Sequence, residues 1–226
     1  FWRAMTDNDL GGWKSVGNSA RQDPLQDILV WREAGASWKI TDVQVSQVDE
    51  ATATIVVQAS LPLVDATYTA TYTVRGDGEV TVKASYQPGA RPTAMMPRFG
   101  MELVVSPGYE RMTWYGRGPA ETYIDRAFER VGVYSSTVGG EWVEYSRPQE
   151  NGNKVDVRWV ELRNERGVGL RAEGVPLLSV AARHASRRDV EQAAYSYQIT
   201  GHPEIYLNLD LKQMGVGGID SWSRNA

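Results

Sequence analysis

The stretch TYTATYTVRGDGEVTVKASY, residues 67–86, decides the fold class. Successive side chains of a strand point to opposite faces. Tyr68, Ala70, Tyr72 and Val74 therefore fall on one side of an extended chain, and Thr67, Thr69, Thr71 and Thr73 on the other. Gly76-Asp77-Gly78 supplies a turn. After it Val80, Val82, Ala84 and Tyr86 alternate again with Thr81, Lys83 and Ser85. Two period-two runs around a glycine-bearing loop predict an antiparallel hairpin with one buried apolar face.

The same period extends outward. Val43, Val45 and Val48 alternate with polar residues upstream, and Ile55, Val57, Ala59 and Leu61 do so after them. Downstream, short strands are expected at 99–105, 131–137, 155–163, 168–172, 177–182 and 205–211. A further one at 111–115 runs into a structured loop at Gly116-Arg117-Gly118-Pro119. Residues 87–97 hold Pro88, Pro92 and Pro97 and read as a connection. Ser186 ahead of Arg187-Arg188-Asp189-Val190-Glu191 predicts a helical turn with a serine cap. Residues 1–37 are loop-rich and predict a leading arm, with one short helix at 25–34. No internal boundary stands out. The expectation is one all-β domain over residues 1–226, a large antiparallel β-sandwich.

Composition fits that class and narrows the partners. The chain has 226 residues, 42% of them hydrophobic, which suffices for the core of one large β domain. Net charge is −4 and the pI about 5.3, with no basic stripe, so a nucleic acid partner is not expected. No run of about 18 apolar residues exists to span a membrane as a helix. The absence of cysteine excludes disulfides and thiolate chemistry and leaves cytoplasm and periplasm both open. No His-x-His or clustered-carboxylate loop is visible, so neither a metal nor another cofactor is expected in this chain. The opening Phe1-Trp2-Arg3 reads as a cut from something longer. Eight Trp and eleven Tyr stand against three Phe. Their apolar faces and polar tips suit sugar surfaces, but pleated sheets also favour aromatics, so composition alone does not choose.

The remaining signal lies in unusual loop sequences. Residues 1–9 read FWRAMTDND, and residues 114–126 read WYGRGPAETYIDR. Arg147-Pro148-Gln149-Glu150-Asn151-Gly152-Asn153 and Val157-Arg158-Trp159 follow. Leu207-Asn208-Leu209-Asp210 comes next, then Met214-Gly215-Val216-Gly217-Gly218-Ile219-Asp220-Ser221-Trp222-Ser223. In order and spacing these resemble the C-terminal domain of bacterial β-galactosidases of glycoside hydrolase family 2. That family's patterns look like FWRAPTDND, WYGxGPxExYxDR, PQENGN, DVRW and MGxGGxDSW. The resemblance covers essentially the whole chain. Met5 stands where proline is usual, and Ile219 where an acidic residue is common. The family's domain carries on past DSW with further strands, so the resemblance implies that the last strands are lacking here.

The resemblance implies a supersandwich shared with galactose mutarotases. It also implies a division of labour. Retaining glycosidases need two carboxyl groups about 5–5.5 Å apart. In the family both lie in an upstream barrel, and no alternating strand–helix pattern to build one exists here. No catalytic residue is therefore assigned to this chain. The resemblance implies a parent enzyme that hydrolyses terminal β-galactosides such as lactose, with magnesium and sodium held mainly in the barrel. The implied partners are the upstream domains, the β-galactoside at a shared site, and further copies in an oligomer.

Trp222 matches the family's tryptophan in DSW, which implies a platform for the aglycone sugar at the mouth of the active site, with Asp220 beside it. An indole face stacks on the apolar face of a pyranose, and Gly215, Gly217 and Gly218 permit a tight backbone path before it. Glu121, Tyr123, Asp125 and Arg126 form a dense polar cluster with two readings. One is a sugar or domain contact. The other, which is favoured, is a loop whose carboxylates cap backbone N–H groups and pair with Arg117 or Arg126. Glu150 and Asn151 in 150–153 read the same way. Two alternatives stand beside the main reading. One is a carbohydrate-binding module with exposed Trp. The other is a mutarotase-like enzyme, which would have to use His184 or His202 as an acid–base group.

Overall fold

Residues 66–88 form the antiparallel hairpin that their alternation predicts, in a computed structural model that describes residues 1–9 and 24–217, the side chains of 24–27 excepted. The chain divides into two units, residues 26–95 and residues 1–25 with 96–226. Each contains one antiparallel sheet, so the class is all-β.

In the first unit a helix α1 (Pro24–Ala34) precedes strands β1 (Lys39–Asp49), β2 (Thr52–Leu61), β3 (Ala66–Arg75) and β4 (Val80–Pro88). They pair in sequence order, β1-β2-β3-β4. The turn between β3 and β4 closes through Arg75 N–H to the Glu79 carbonyl, 2.9 Å, with Gly78 at φ +92°. Trp31 of α1 packs edge-on against Tyr86, ring centroids 5.9 Å apart, and donates its indole N–H to the Ala94 carbonyl. Leu61, Val64, Ala59 and Ala70 are buried at this end. The expected buried face stops there. Val45 is 70% exposed and Val80 52%, although both lie on the apolar side. Alternation settles which face is apolar and does not settle what covers it.

The second unit holds β5 (Arg98–Val105), β6 (Arg111–Gly118), β7 (Arg130–Thr137), β8 (Lys154–Arg163), β9 (Gly169–Arg183) and β10 (Ile205–Gln213). Their order in the sheet is β5-β10-β9-β8-β6-β7. One face carries the apolar core, in which Met112, Trp114, Val160, Leu162, Val180 and Leu207 are buried together. The helix α2 (Arg187–Gln192) follows β9 and starts on the expected cap. The Asp189 N–H donates to Ser186 Oγ, 3.2 Å, and Ser186 N–H donates back to the Asp189 carboxylate, 2.8 Å.

Two segments differ from expectation. β6 does not end at Tyr115 but continues to Gly118. The glycines continue it because they permit close approach: a Cβ at Gly118 would lie 2.9 Å from both the Trp114 and Tyr134 rings. The two strands expected at 168–172 and 177–182 are one, β9. Trp159 pairs with Glu173 and Val157 with Leu178, so residues 174–177 bulge out of the ladder. Pro176, which lacks a donor, sits in that bulge, and Val175 is 98% exposed.

Leu207→Ala is expected to cost about 2–5 kcal/mol of stability, since it empties a fully buried site. Val133→Ala, at a side chain 61% exposed, is expected to cost less than about 0.5 kcal/mol. Urea midpoints of the two variants check the pair.

Candidate functional site

The second face of the six-stranded sheet is polar where β5, β10 and β9 run side by side. Register places Asn208 and Asp210 on the side opposite Leu207 and Leu209, beside Ala181, Ser179 and Gly100. A charge on a buried face must be paired. Arg98 and Arg183 bring buried positive charge to this face, and Glu150, 2% exposed, supplies their counter-charge from the 147–153 loop. Its carboxylate accepts from Arg98 Nη2 at 3.1 Å and Arg183 Nη2 at 3.0 Å. Arg183 also donates to Asn208 Oδ1, 3.1 Å. Burial alone would raise the Glu150 carboxyl, but Arg183, Arg98 and Arg3 outweigh it and hold the group below its ordinary range. Asp210 behaves oppositely. Burial pushes it up to about 7, Glu150 adds to the rise, and Arg98 pulls it down. Arg98 Nε stands 3.0 Å from Asp210 Oδ2, as an ion pair off the line that a hydrogen bond needs.

The 119–126 loop is tied to the same region. Glu121 accepts from the Gly152 backbone N–H at 2.8 Å and also pairs with Arg126 and the Tyr145 hydroxyl. Tyr123 is buried, with the Arg126 guanidinium 5.3 Å from its ring centroid. Burial, with Glu150 and Glu121 nearby, lifts the Tyr123 hydroxyl well above its usual range. Asn151 donates to the Gln149 carbonyl, 2.9 Å, and accepts from Val143 N–H, 3.2 Å. Arg117 pairs with Asp156 rather than with the Glu121 cluster.

The cluster ends on the chain that leads toward the C-terminal motif. Both oxygens of Asp125 accept backbone N–H groups, from Val216 at 3.1 Å and Gly217 at 2.8 Å. Asn8 donates to the carbonyls of Val216 and Gly217, 2.8 and 3.1 Å. Arg3 donates to the Gly215 carbonyl, 2.8 Å, and pairs with Asp9 at 3.1 Å. Gly215 is required here: a Cβ would lie 2.4 Å from Asp125 Oδ2. Gly217 sits at φ +72°, which favours glycine. The arm at 1–9 and the loop at 119–126 thus clamp residues 215–217 from two sides. Asp220 and Trp222 lie outside the described residues.

Sequence reading singled out Glu121, Tyr123, Asp125, Glu150 and Asn151, and all five stand in this connected region. It missed Arg98, Arg183, Arg3 and Asn8. A charged residue in a strand reads as solvent-facing. The available signal was Asn208 and Asp210, two polar residues alternating with leucines in one strand. Both histidines are committed elsewhere. His184 Nδ1 faces the His202 and Glu204 carbonyls at 3.0 and 3.1 Å, and its Nε2 faces the Glu110 carboxylate at 3.0 Å. His202 Nε2 lies 2.9 Å from Asp189. Among the described residues no three His, Asp or Glu side chains gather as metal ligands, and no helix is long and apolar enough to cross a membrane.

Comparison with known proteins adds a family. The profile described as beta galactosidase small chain matches residues 1–226. A protein named beta-galactosidase from Priestia megaterium is 34% identical over 226 residues, which are 98% of this chain and 20% of that protein. One from Lactobacillus delbrueckii subsp. bulgaricus is 33% identical, covering 99% of this chain and 21% of that protein. Beta-galactosidase BgaC of Bifidobacterium adolescentis is 31% identical, with 98% and 21% covered. The chain spans about a fifth of the length of the curated relatives it matches.

Two outcomes follow from the buried charges. Glu150→Gln leaves two guanidiniums without a full counter-charge and is expected to cost about 3–5 kcal/mol in urea unfolding. Asp210 keeps its proton to about pH 7 when folded, against its ordinary 3.8. The folded state binds more protons between those values, so this group's contribution to stability falls as pH rises from about 4 to about 7. Asp210→Asn cannot titrate and is expected to flatten that slope. An unchanged slope in matched unfolding series would contradict the assignment.

Proposed function

The chain belongs to the beta galactosidase small-chain family, and on that premise we propose that it is the non-catalytic domain of a β-galactosidase acting on terminal β-D-galactosides. In this reading it supports the active-site mouth and lends it one aromatic platform, Trp222. The observation that carries the reading is the family match over the whole chain together with the small share of each relative that the chain accounts for. The rest of the enzyme, including its two catalytic carboxyls, then lies in other domains.

The chemistry of the described side chains supports a structural role. Glycoside hydrolysis needs one carboxyl as acid and another as nucleophile or base. The carboxylates of Glu150, Glu121 and Asp125 are each taken up by guanidinium or backbone N–H donors. A carboxylate used in this way holds loops in place. The clamp on residues 215–217 supports the Trp222 assignment, because a stacking ring contributes affinity only if the backbone beneath it is fixed. Magnesium and sodium, suggested by the family for a whole enzyme, find no three-carboxylate cluster among the described residues, and no step here runs through them.

The isolated chain is expected to give no turnover of a chromogenic β-galactoside, while the longer enzyme turns it over. Clear activity of the isolated chain would overturn the reading. In the longer enzyme Trp222→Ala is expected to weaken glucose as an acceptor by about five- to tenfold, the equivalent of ~1 kcal/mol for one aromatic face. Hydrolysis of an aryl galactoside should change far less. Asp125→Ala should shift acceptor affinity in the same direction through the loop base. Unchanged acceptor affinity in Trp222→Ala would sink the platform.

A further inference from the structure

Strand β5 is one edge of the six-stranded sheet, and among the described residues only β10 pairs with it. The chain at Phe1 already lies against its other side. The Arg98 N–H donates to the Phe1 carbonyl, 3.2 Å, which turns that N–H away from β10. The rings of Phe1 and Phe99 stack with centroids 6.1 Å apart. Strand alternation then turns the N–H and carbonyl groups of Gly100, Glu102 and Val104 to the same side as that of Arg98. Beyond the ladder with β10, no backbone bond reaches those three from the described residues.

The two ends of Phe1 give the direction. Its carbonyl faces Arg98. Its amino end lies farther along β5: burial pushes that group down to about 6, Arg98 and Arg187 act in the same sense, and Asp210 and Glu102 pull it up. Asp210 stands opposite Gly100, and Glu102 is the next residue on that side of β5. Traced backwards, the chain therefore heads from Arg98 toward Val105, antiparallel to β5. The edge itself is a template for such a strand. Natural edges are blunted by lysine, proline or a bulge. The sequence of β5, RFGMELVV, has no lysine or proline. The one irregularity in its pairing lies in β10, between Asp210 and Lys212. Its single carboxylate, Glu102, is engaged on the polar face, where it accepts from Asn208 Nδ2 at 3.2 Å.

We propose that the residues running into Phe1 in the longer enzyme, about six of them, form a further strand antiparallel to β5, joined to it from the Phe1–Arg98 contact onward. The proposal rests on the reading of this chain as one domain of a longer enzyme. The occupant is fixed by covalent continuity, since the residue before Phe1 has to begin at this edge, and a segment held so close closes onto it at little entropic cost. Its affinity comes from main-chain bonds to Gly100, Glu102 and Val104. Its side chains beside Met101 and Leu103 are apolar, because those two stand opposite Leu209 and Leu207 on the core side of the sheet. The entry into this domain is then part of its sheet rather than a loose linker.

Residues 1–226 contain no cysteine, so a disulfide at an introduced site is readily assigned by peptide mass spectrometry. Val104→Cys, at a side chain 62% exposed, and Glu102→Cys are introduced singly into the longer enzyme. Each is combined in turn with one cysteine at successive positions ahead of Phe1. With Phe1 opposite Arg98, an antiparallel strand puts the best partner of Val104→Cys about six residues ahead of Phe1 and that of Glu102→Cys about four. One narrow maximum is expected for each, within a single molecule. In the unsubstituted enzyme the amides of Gly100, Glu102 and Val104 are expected to exchange on the order of a hundredfold slower than in an unstructured chain. That measurement needs no substitution and stands if a variant fails to fold. Exchange at the unstructured rate would overturn the proposal. So would maxima that do not move between the two cysteines, or disulfides that form only between two molecules. Slow amides without any disulfide mean that another segment covers the edge, which overturns it equally. Galactosidase activity of the unsubstituted enzyme separates the two ideas. An active enzyme with fast amides sinks the strand alone. Slow amides and the expected disulfides in a protein without activity sink the functional reading instead.

Discussion

A carboxylate taken out of water has to be met by fixed positive charge, and Glu150 is that carboxylate here. It sits on a loop, at the 147–153 stretch, and its partners sit on strands: Arg98 at the start of β5 and Arg183 at the end of β9. Those strands flank β10, so the ionic group also fixes the polar side of β10, with Asn208 and Asp210. Once Glu150 is in place the rest of its loop is positioned. Gly152 can then give its N–H to Glu121, and the 119–126 loop is joined to it. From that loop Asp125 reaches the backbone of 216 and 217. The order of dependence therefore runs from a buried charge to the base of the C-terminal motif.

Such an arrangement is costly as a source of stability, because apolar packing of equal volume often does as well. It is effective as a device for specifying geometry. Each donor and acceptor has one direction, and a chain of them leaves residues 215–217 little freedom. The opposite face of the same sheet supplies the ordinary source of stability, a dense apolar layer around Trp114, Leu162 and Leu207. The two faces of one sheet thus do separate work: the apolar side holds the fold, and the polar side aims its loops.

Much of this was legible in the sequence, and the reason is locality. Alternation is a property of neighbouring residues, so the hairpin at 67–86 and nearly every strand could be read directly. The serine cap at Ser186 is equally local. Reading failed where the deciding contact is distant or where a local rule is interrupted. The bulge at 174–177 breaks the period, although the ladder to β8 resumes beyond it. Gly116 and Gly118 read as loop because what needs their missing side chains comes from elsewhere in the fold: Val157 of the neighbouring strand lies against Gly116, and the Trp114 and Tyr134 rings against Gly118. Glu121 and Asp125 could be found, since polar residues crowded among glycines stand out. The pairing of Glu121 with Arg126 and the capping of backbone N–H groups could be read as well. Which backbone is capped could not, because Gly152 and Gly217 contribute N–H groups, which no side chain advertises. The apolar face of the four-stranded sheet is a third case: the pattern that identifies an apolar side is the same whether or not anything lies over it.

The account holds that this chain fixes the base of its C-terminal motif and leaves the chemistry to others. Amide hydrogen exchange at Val216 and Gly217 tests the physical half of that claim most directly. Asp125→Ala removes the acceptor of both N–H groups, worth about 1.5–3 kcal/mol for a charged acceptor. Exchange at those two amides should quicken on the order of tenfold or more, while the amide of Leu207 in the core stays as slow as before. Protection at 216 and 217 that is the same with and without the Asp125 carboxylate would contradict the account.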